Sequence, residues 1–553
     1  MITTATLLAA LMCWGLGWIG LALIERVTSS GSSGVPQASR TEQHALAVLL
    51  GITLWVFVLT ALGHVTALAV LPAWLAWGLG AACAIVGTRC ALRARGRQPK
   101  IDLPDRCRPL DRVAVGVALG FLGFAVVYAS TMPVHIFDPV FHFAFKGKLL
   151  WHEGLLGPGW TDVEGPIGRV ITHPDYPPGV GALECLLAWP SGGLAIHAAR
   201  PLFALFVLAT AGFLWGRLRR VGSGPAALGL LVWSSLPFLF YSRLPHPDWL
   251  KGTYGLLFGT EAGQARFGDG PLEDGTPGRW TQPDGWTLDG AGDLPLAALF
   301  SVGAWLLFAA LAGRVRRDTE AAPEGQVEAD AQQERTARHN ALLGGLLLGG
   351  GALMKNEGLA LLPVAMVAAG LAWLVTRGRP PLRQTAARAG LALGAALVVA
   401  SPWLIARGAV PTIGEDYPSR LSPSGLAAAW NAEQETGFGP DGRPERAPIP
   451  AIVASGFQDA VTHIPRFGLL WLAAFTALVL RARRLVAPRA PTPWTAAGWT
   501  LLGAFALYAL VLFVTPWNLT ALFRTAIPDR LIFHVAPLAI LLIAAAFAPS
   551  EER

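Results

Sequence analysis

The sequence predicts an all-α polytopic membrane protein: one multi-pass domain over 1–553, with about thirteen transmembrane helices and long extracytoplasmic loops carrying short helices. Three observations predict it. Of 553 residues, 53% are hydrophobic and 14% charged, with a mean hydropathy of +0.47, whereas a soluble domain carries roughly 25% charged residues. The apolar residues come in blocks about as long as a hydrocarbon core requires. These blocks lack the alternation a membrane strand needs, so helices remain the way to satisfy the backbone in lipid.

Taken in order, the candidate spans are 1–25, 44–62, 64–88, 111–132, 197–216, 223–241, 294–313, 341–354, 359–375, 389–406, 467–481, 496–515 and 531–548. The first has no basic segment before it and reads as a retained span, not a cleaved signal. The thirteen-residue stretch 179–191 is short for a crossing and reads as re-entrant or interfacial. Arg and Lys gather in 89–112, 217–220, 314–340, 376–388 and 481–489, which the positive-inside rule places in the cytoplasm. Segment 314–340 is a charged cytoplasmic linker, flexible or partly helical. The long loops 133–178, 242–293, 407–466 and 516–530 then face outward, and such loops commonly carry function.

The net charge of +7 follows from those loop arginines. No basic face or base-stacking module accompanies it, so no nucleic-acid partner is expected. The five cysteines form no CxxC pair, and neither a zinc site nor a disulfide framework is indicated.

Polar residues at the outer ends of the spans carry the candidate chemistry. Asp138-Pro139 reads as a helix start, and Asp138, His142 and Lys146 fall on one helical stripe. Asp138 is either a cap or a carboxylate placed to deprotonate an acceptor hydroxyl or hold a metal. In His173-Pro174-Asp175-Tyr176-Pro177-Pro178 the prolines stiffen the path, so His173, Asp175 and Tyr176 form either a rigid re-entry loop or a substrate rim. Asp293 stands directly before a span and is a cap or a second carboxylate at that face. Lys355 and Glu357 interrupt an apolar run, where charge is costly and functional by default. They are a structural pair, or Lys355 neutralises a phosphate while Glu357 orients it or binds substrate. Arg530 at the mouth of the last span either snorkels to a headgroup or grips a phosphate. Glu184 is an intramembrane acid with no evident partner.

In this order, Asp138, Lys146, His173 to Pro177, Ala291-Gly-Asp293-Leu-Pro295, Lys355-Asn-Glu-Gly358 and Arg530-Leu-Ile-Phe-His534 resemble motifs of the GT-C superfamily of membrane glycosyltransferases. More narrowly, they resemble bacterial members of the group that holds the protein mannosyltransferases and the lipid A aminoarabinose transferases. The chain departs from that group in having Gly147 after Lys146 where Ala is common, and in lacking paired acids around Asp138. The resemblance implies a catalytic module over 110–375 in a bacterial plasma membrane, with its site on the extracytoplasmic face. It implies a polyprenyl-phosphate sugar donor, a glycan, lipid or protein acceptor, and inversion at the anomeric carbon. Asp138 would activate the acceptor. Lys355, Arg530 and His173 would stabilise the leaving phosphate, and Asp293 would shape the pocket. Substrate binding would also involve Lys146, Asp175, Tyr176 and Glu357. The resemblance leaves a divalent metal open and calls for no organic cofactor. The alternative reading is a transporter or flippase for a lipid-linked or polar substrate, against which stand the absence of an internal repeat and the gathering of charges at one face.

Overall fold

The computed structural model describes residues 4–28, 38–96, 108–131, 142–161, 174–194, 196–240, 292–312, 324–376, 379–410, 417–438, 444–462, 464–486, 492–524 and 527–546. Asp138 and His173 lie outside the described residues.

Helices dominate. The chain opens with α1 (Thr4–Thr28), α2 (Arg40–Gly63), α3 (Ala73–Gly96) and α4 (Pro109–Thr131). Two short helices follow, α5 (Phe145–His152) and α6 (Gly179–Ser191), then α7 (Ile196–Leu218) and α8 (Ser223–Ser234). The centre is built by α9 (Asp293–Ala312), α10 (Glu324–Met354), α11 (Asn356–Val375) and α12 (Leu382–Arg407). After α13 (Pro423–Asn431), β1 (Glu433–Phe438) pairs antiparallel with β2 (Pro444–Pro448), with a bulge between Glu435 and Gly437. The chain ends with α14 (Ile449–Thr462), α15 (Leu470–Leu480), α16 (Pro493–Val514), α17 (Leu519–Arg524), α18 (Ile527–Phe533) and α19 (Ala536–Ala546).

Among the described residues, nine helices are long and apolar enough to cross a membrane, or ten if α18 and α19, bent by 53°, form one broken span. The expectation of about thirteen also included the stretches that became α8 and α15, at 12 and 11 residues. It also included 341–354, which is the apolar half of a 31-residue helix. The described part of the charged linker, 324–340, is therefore helical and continuous with α10.

Burial follows composition. In α9 the apolar window is 94% buried, against 22% for α3 and 28% for α4, so α9 is the hub and α3 and α4 lie outermost. Close approach of α9 to α10 depends on glycine: a methyl at Gly303 would stand 2.9 Å from the Gly344 carbonyl oxygen. Small residues at such crossings let backbones meet where lipid supplies no hydrophobic drive.

The two ends of the bundle differ. At one end, Arg217 and Arg220 close on Glu42 at 2.6 and 2.8 Å. There Arg388 also donates to the Ala310 carbonyl at 2.9 Å, and Arg481 to the Ala546 carbonyl at 3.0 Å. At the other end, the Leu155 amide donates to the Gly63 carbonyl at 2.7 Å, and the rings of Trp160 and Trp403 pack 6.3 Å apart. The β1–β2 hairpin belongs to this second end. Leu519 N donates to Gln434 Oε1 at 2.9 Å, and Arg466, just before α15, pairs with Asp529 in the first turn of α18.

Candidate functional site

Four ionisable residues named from sequence meet at one point. Asp293 begins α9, in a first turn that also holds Pro295. Proline is pre-organised for that position, and a carboxylate suits the positive end of the helix dipole. Lys355 breaks α10 from α11 and is extended there (φ −158°, ψ 150°), which projects its side chain out of both helical ladders. The turn is tight: a methyl on Gly358 would stand 2.3 Å from the Gly351 carbonyl oxygen. Arg530 comes from α18, and His534 from the bend between α18 and α19.

These groups converge on Asp293. Lys355 Nζ donates to Oδ1 at 2.8 Å, and His534 Nε2 to the same oxygen at 2.8 Å. Arg530 Nε donates to Oδ2 at 2.9 Å. Lys355 also pairs with Glu357 Oε1 at 2.8 Å. With the His534 proton on Nε2 toward the carboxylate, Nδ1 accepts from the Tyr508 hydroxyl at 2.9 Å. Asp293 and His534 are fully sequestered, and Lys355 and Arg530 nearly so. Two carboxylates thus balance two fixed cations, with Asp293, Lys355 and Arg530 closed off from solvent and Glu357 at the rim, its side chain 21% exposed; losing a partner of the enclosed Asp293 is expensive.

A second polar group lies alongside. Lys146 in α5 is fully buried, donates to the Tyr176 carbonyl at 2.8 Å and lies 5.2 Å from the Tyr176 ring centre. Burial pushes the Lys146 ammonium well below the usual lysine range, opposed by the negative charge of Asp175. The His142 and Tyr176 rings sit 6.3 Å apart. The two groups share a wall. A methyl on Gly292, next to Asp293, would stand 3.1 Å from the Met354 carbonyl and 3.3 Å from the Phe143 ring. One on Gly179, at the start of α6, would stand 2.2 Å from the Leu353 carbonyl.

The structure therefore brings together Asp293, Lys355, Glu357 and Arg530, and separately Lys146, Asp175 and Tyr176, at one end of the bundle. Sequence reasoning omitted His534 and Tyr508 from the site. His534 stands one helical turn after Arg530, a spacing that places both on one face and would have marked it. Tyr508 sits within an apolar run and carries no comparable signal. Among the described residues, no three His, Cys, Asp or Glu side chains are grouped to hold a metal ion. Comparison with protein families, with curated proteins and with solved structures found no match to this chain.

Proposed function

We propose that this chain is a membrane glycosyltransferase of the GT-C type. It moves a sugar from a polyprenyl-phosphate donor to an envelope glycan, lipid or protein acceptor on the extracytoplasmic side, with inversion. The observation that carries this reading is the convergence of Asp293, Lys355 and Arg530, all buried, with the partly exposed Glu357, into one cluster beside Lys146 and Tyr176. Catalytic and binding groups must reach one reacting centre, and these residues are far apart in sequence. The arginines at the opposite end support the orientation, since positive residues favour the cytoplasmic side.

In this reading the acceptor hydroxyl is deprotonated by Asp138 and attacks the anomeric carbon as the bond to the lipid phosphate breaks. Charge building on that phosphate is met by cations held away from water. Lys146, on the helix that follows Asp138 in sequence, is a buried amine that would take up its proton beside that phosphate. The donor's apolar tail explains a site built into the end of a membrane bundle.

The test uses the full-length protein in lipid nanodiscs, a polyprenyl-phosphate hexose and an envelope extract as acceptor source. Release of polyprenyl phosphate coupled to glycosylated product is expected, and Asp138→Asn should abolish it while leaving the thermal transition in place. Full turnover by Asp138→Asn would remove that residue from the chemistry. Translocation of the intact donor across a liposome, without release, would assign a transporter instead.

A further inference from the structure

Between the spans α12 and α16 lies α13, which starts on its own signals. Ser422 Oγ accepts from the Gly425 amide at 3.1 Å, and Pro423 takes the first helical position. Pro423, Leu426 and Trp430 recur on one face of the helix, and Ser424, Ala428 and Asn431 on the opposite one. The helix carries no charged residue and none of its residues is buried. Trp430 is 66% exposed. A helix of 9 residues is marginal in water by itself, so its apolar face needs a cover.

The position of α13 identifies that cover. The Trp430 ring packs on Phe513, with centres 6.2 Å apart. Arg420, ahead of the helix, donates to the Val514 and Thr515 carbonyls, both at 3.3 Å. Both flanks of α13 therefore reach the same turn of α16, so the helix lies across that end of the span. With 22 residues, α16 is about 33 Å long and matches a hydrocarbon core of about 30 Å. Its last turn thus stands at the hydrocarbon boundary. Exposed Leu502, Ala506 and Leu510 lead along α16 to Phe513 at helical spacing. Trp430 prolongs this lipid-facing stripe. Charged side chains are exposed only beyond α13, at Glu433, Glu435, Glu445 and Arg446 of the hairpin.

We propose that α13 is an interfacial anchor, lying across the headgroup boundary with Leu426 and Trp430 among the lipids and the β1–β2 hairpin in water. A short helix with one apolar face and a tryptophan suits that boundary. The anchor is tied to the chain that builds the Asp293 cluster. Gln434 accepts from the Leu519 amide at 2.9 Å, and the Glu435 carbonyl from the Thr520 hydroxyl at 3.0 Å. From there α17 leads into α18, which carries Arg530. The proposal is independent of the glycosyltransferase reading.

The experiment reads the depth of each face of α13 in the full-length protein, with Trp430 in place. Cys90→Ser and Cys107→Ser leave native thiols that are buried. An environment-sensitive fluorophore is then attached at Leu426→Cys or at Ala428→Cys, which face opposite ways on the helix. The nanodiscs are phosphatidylcholine and phosphatidylglycerol, with a nitroxide near the headgroup or at the chain end. The probe at 426 should emit to the blue and be quenched by the headgroup-proximal nitroxide more than by the chain-end one. The probe at 428 should escape the nitroxides and be quenched by iodide in the water. Trp430→Glu should abolish nitroxide quenching at 426 while the thermal transition persists, and Trp430→Tyr should keep it.

Equal nitroxide quenching at 426 and 428 would overturn the proposal. Quenching of 426 by iodide alone would overturn it too, and would assign the Trp430 face to a water-borne partner. Quenching at 426 that survives Trp430→Glu would likewise remove Trp430 as the anchor.

Discussion

Replacing Asp293 by asparagine keeps nearly the same shape and removes the charge on which Lys355, Arg530 and His534 converge. Lys355 retains Glu357 at 2.8 Å. The Arg530–Asp293 and His534–Asp293 contacts lose their anion, and the cluster is left with one uncompensated positive charge in a buried space. Removing one partner of a buried ion pair costs about 3–5 kcal/mol. Because Glu357 still compensates Lys355, the lower end applies, about 3 kcal/mol. That is roughly two decades in the unfolding equilibrium and a large part of a typical stability of about 5–15 kcal/mol. The assay is denaturant unfolding of the purified protein in one fixed detergent, followed by tryptophan fluorescence. Arg530→Gln and the double variant are measured beside Asp293→Asn. The double should lose less than the sum of the singles by about 1–3 kcal/mol, the range for residues in direct contact. A loss under about 1 kcal/mol for Asp293→Asn, or strict additivity with Arg530→Gln, would refute the buried network as described.

Two smaller changes test its surroundings. A methyl on Gly147 would stand 2.6 Å from Glu184 Oε2 and 3.2 Å from the Gly181 backbone. Gly147→Ala should therefore lower stability by about 1–3 kcal/mol, and Glu184→Ala in the same chain should restore part of it. Tyr508→Phe removes the donor to His534 Nδ1 and keeps the ring, so the same unfolding assay should show a loss of about 1 kcal/mol.

The Gly147 position shows how a departure from a sequence pattern gains meaning in three dimensions. In the proposed glycosyltransferase reading, an alanine would be the common residue after the lysine. Here that methyl would stand 2.6 Å from the carboxylate of Glu184, and the Cys185 thiol reaches the Gly147 carbonyl at 3.3 Å. From sequence, Glu184 was an acid without a partner. What it packs against is the backbone of α5, which no local pattern reveals.

Local composition was enough for the many apolar helices, because lipid leaves the backbone no other way to be satisfied and apolar length is read directly from the chain. It was enough also to single out Asp293, Lys355, Glu357 and Arg530, because charge within an apolar run is costly wherever it occurs. Composition could not separate a crossing from a short or broken helix, since α8, α15 and the α18–α19 bend depend on how neighbours pack. Nor could it pair the charges. Asp293 meets a lysine 62 positions away and an arginine 237 positions away, through helices that also bring in His534 and Tyr508. Sequence by itself determined that this is a membrane-embedded helical chain with a few costly polar residues at helix ends. Only the tertiary structure decided that those residues share one buried carboxylate, because the energy that selects their partners arises from contacts between distant segments.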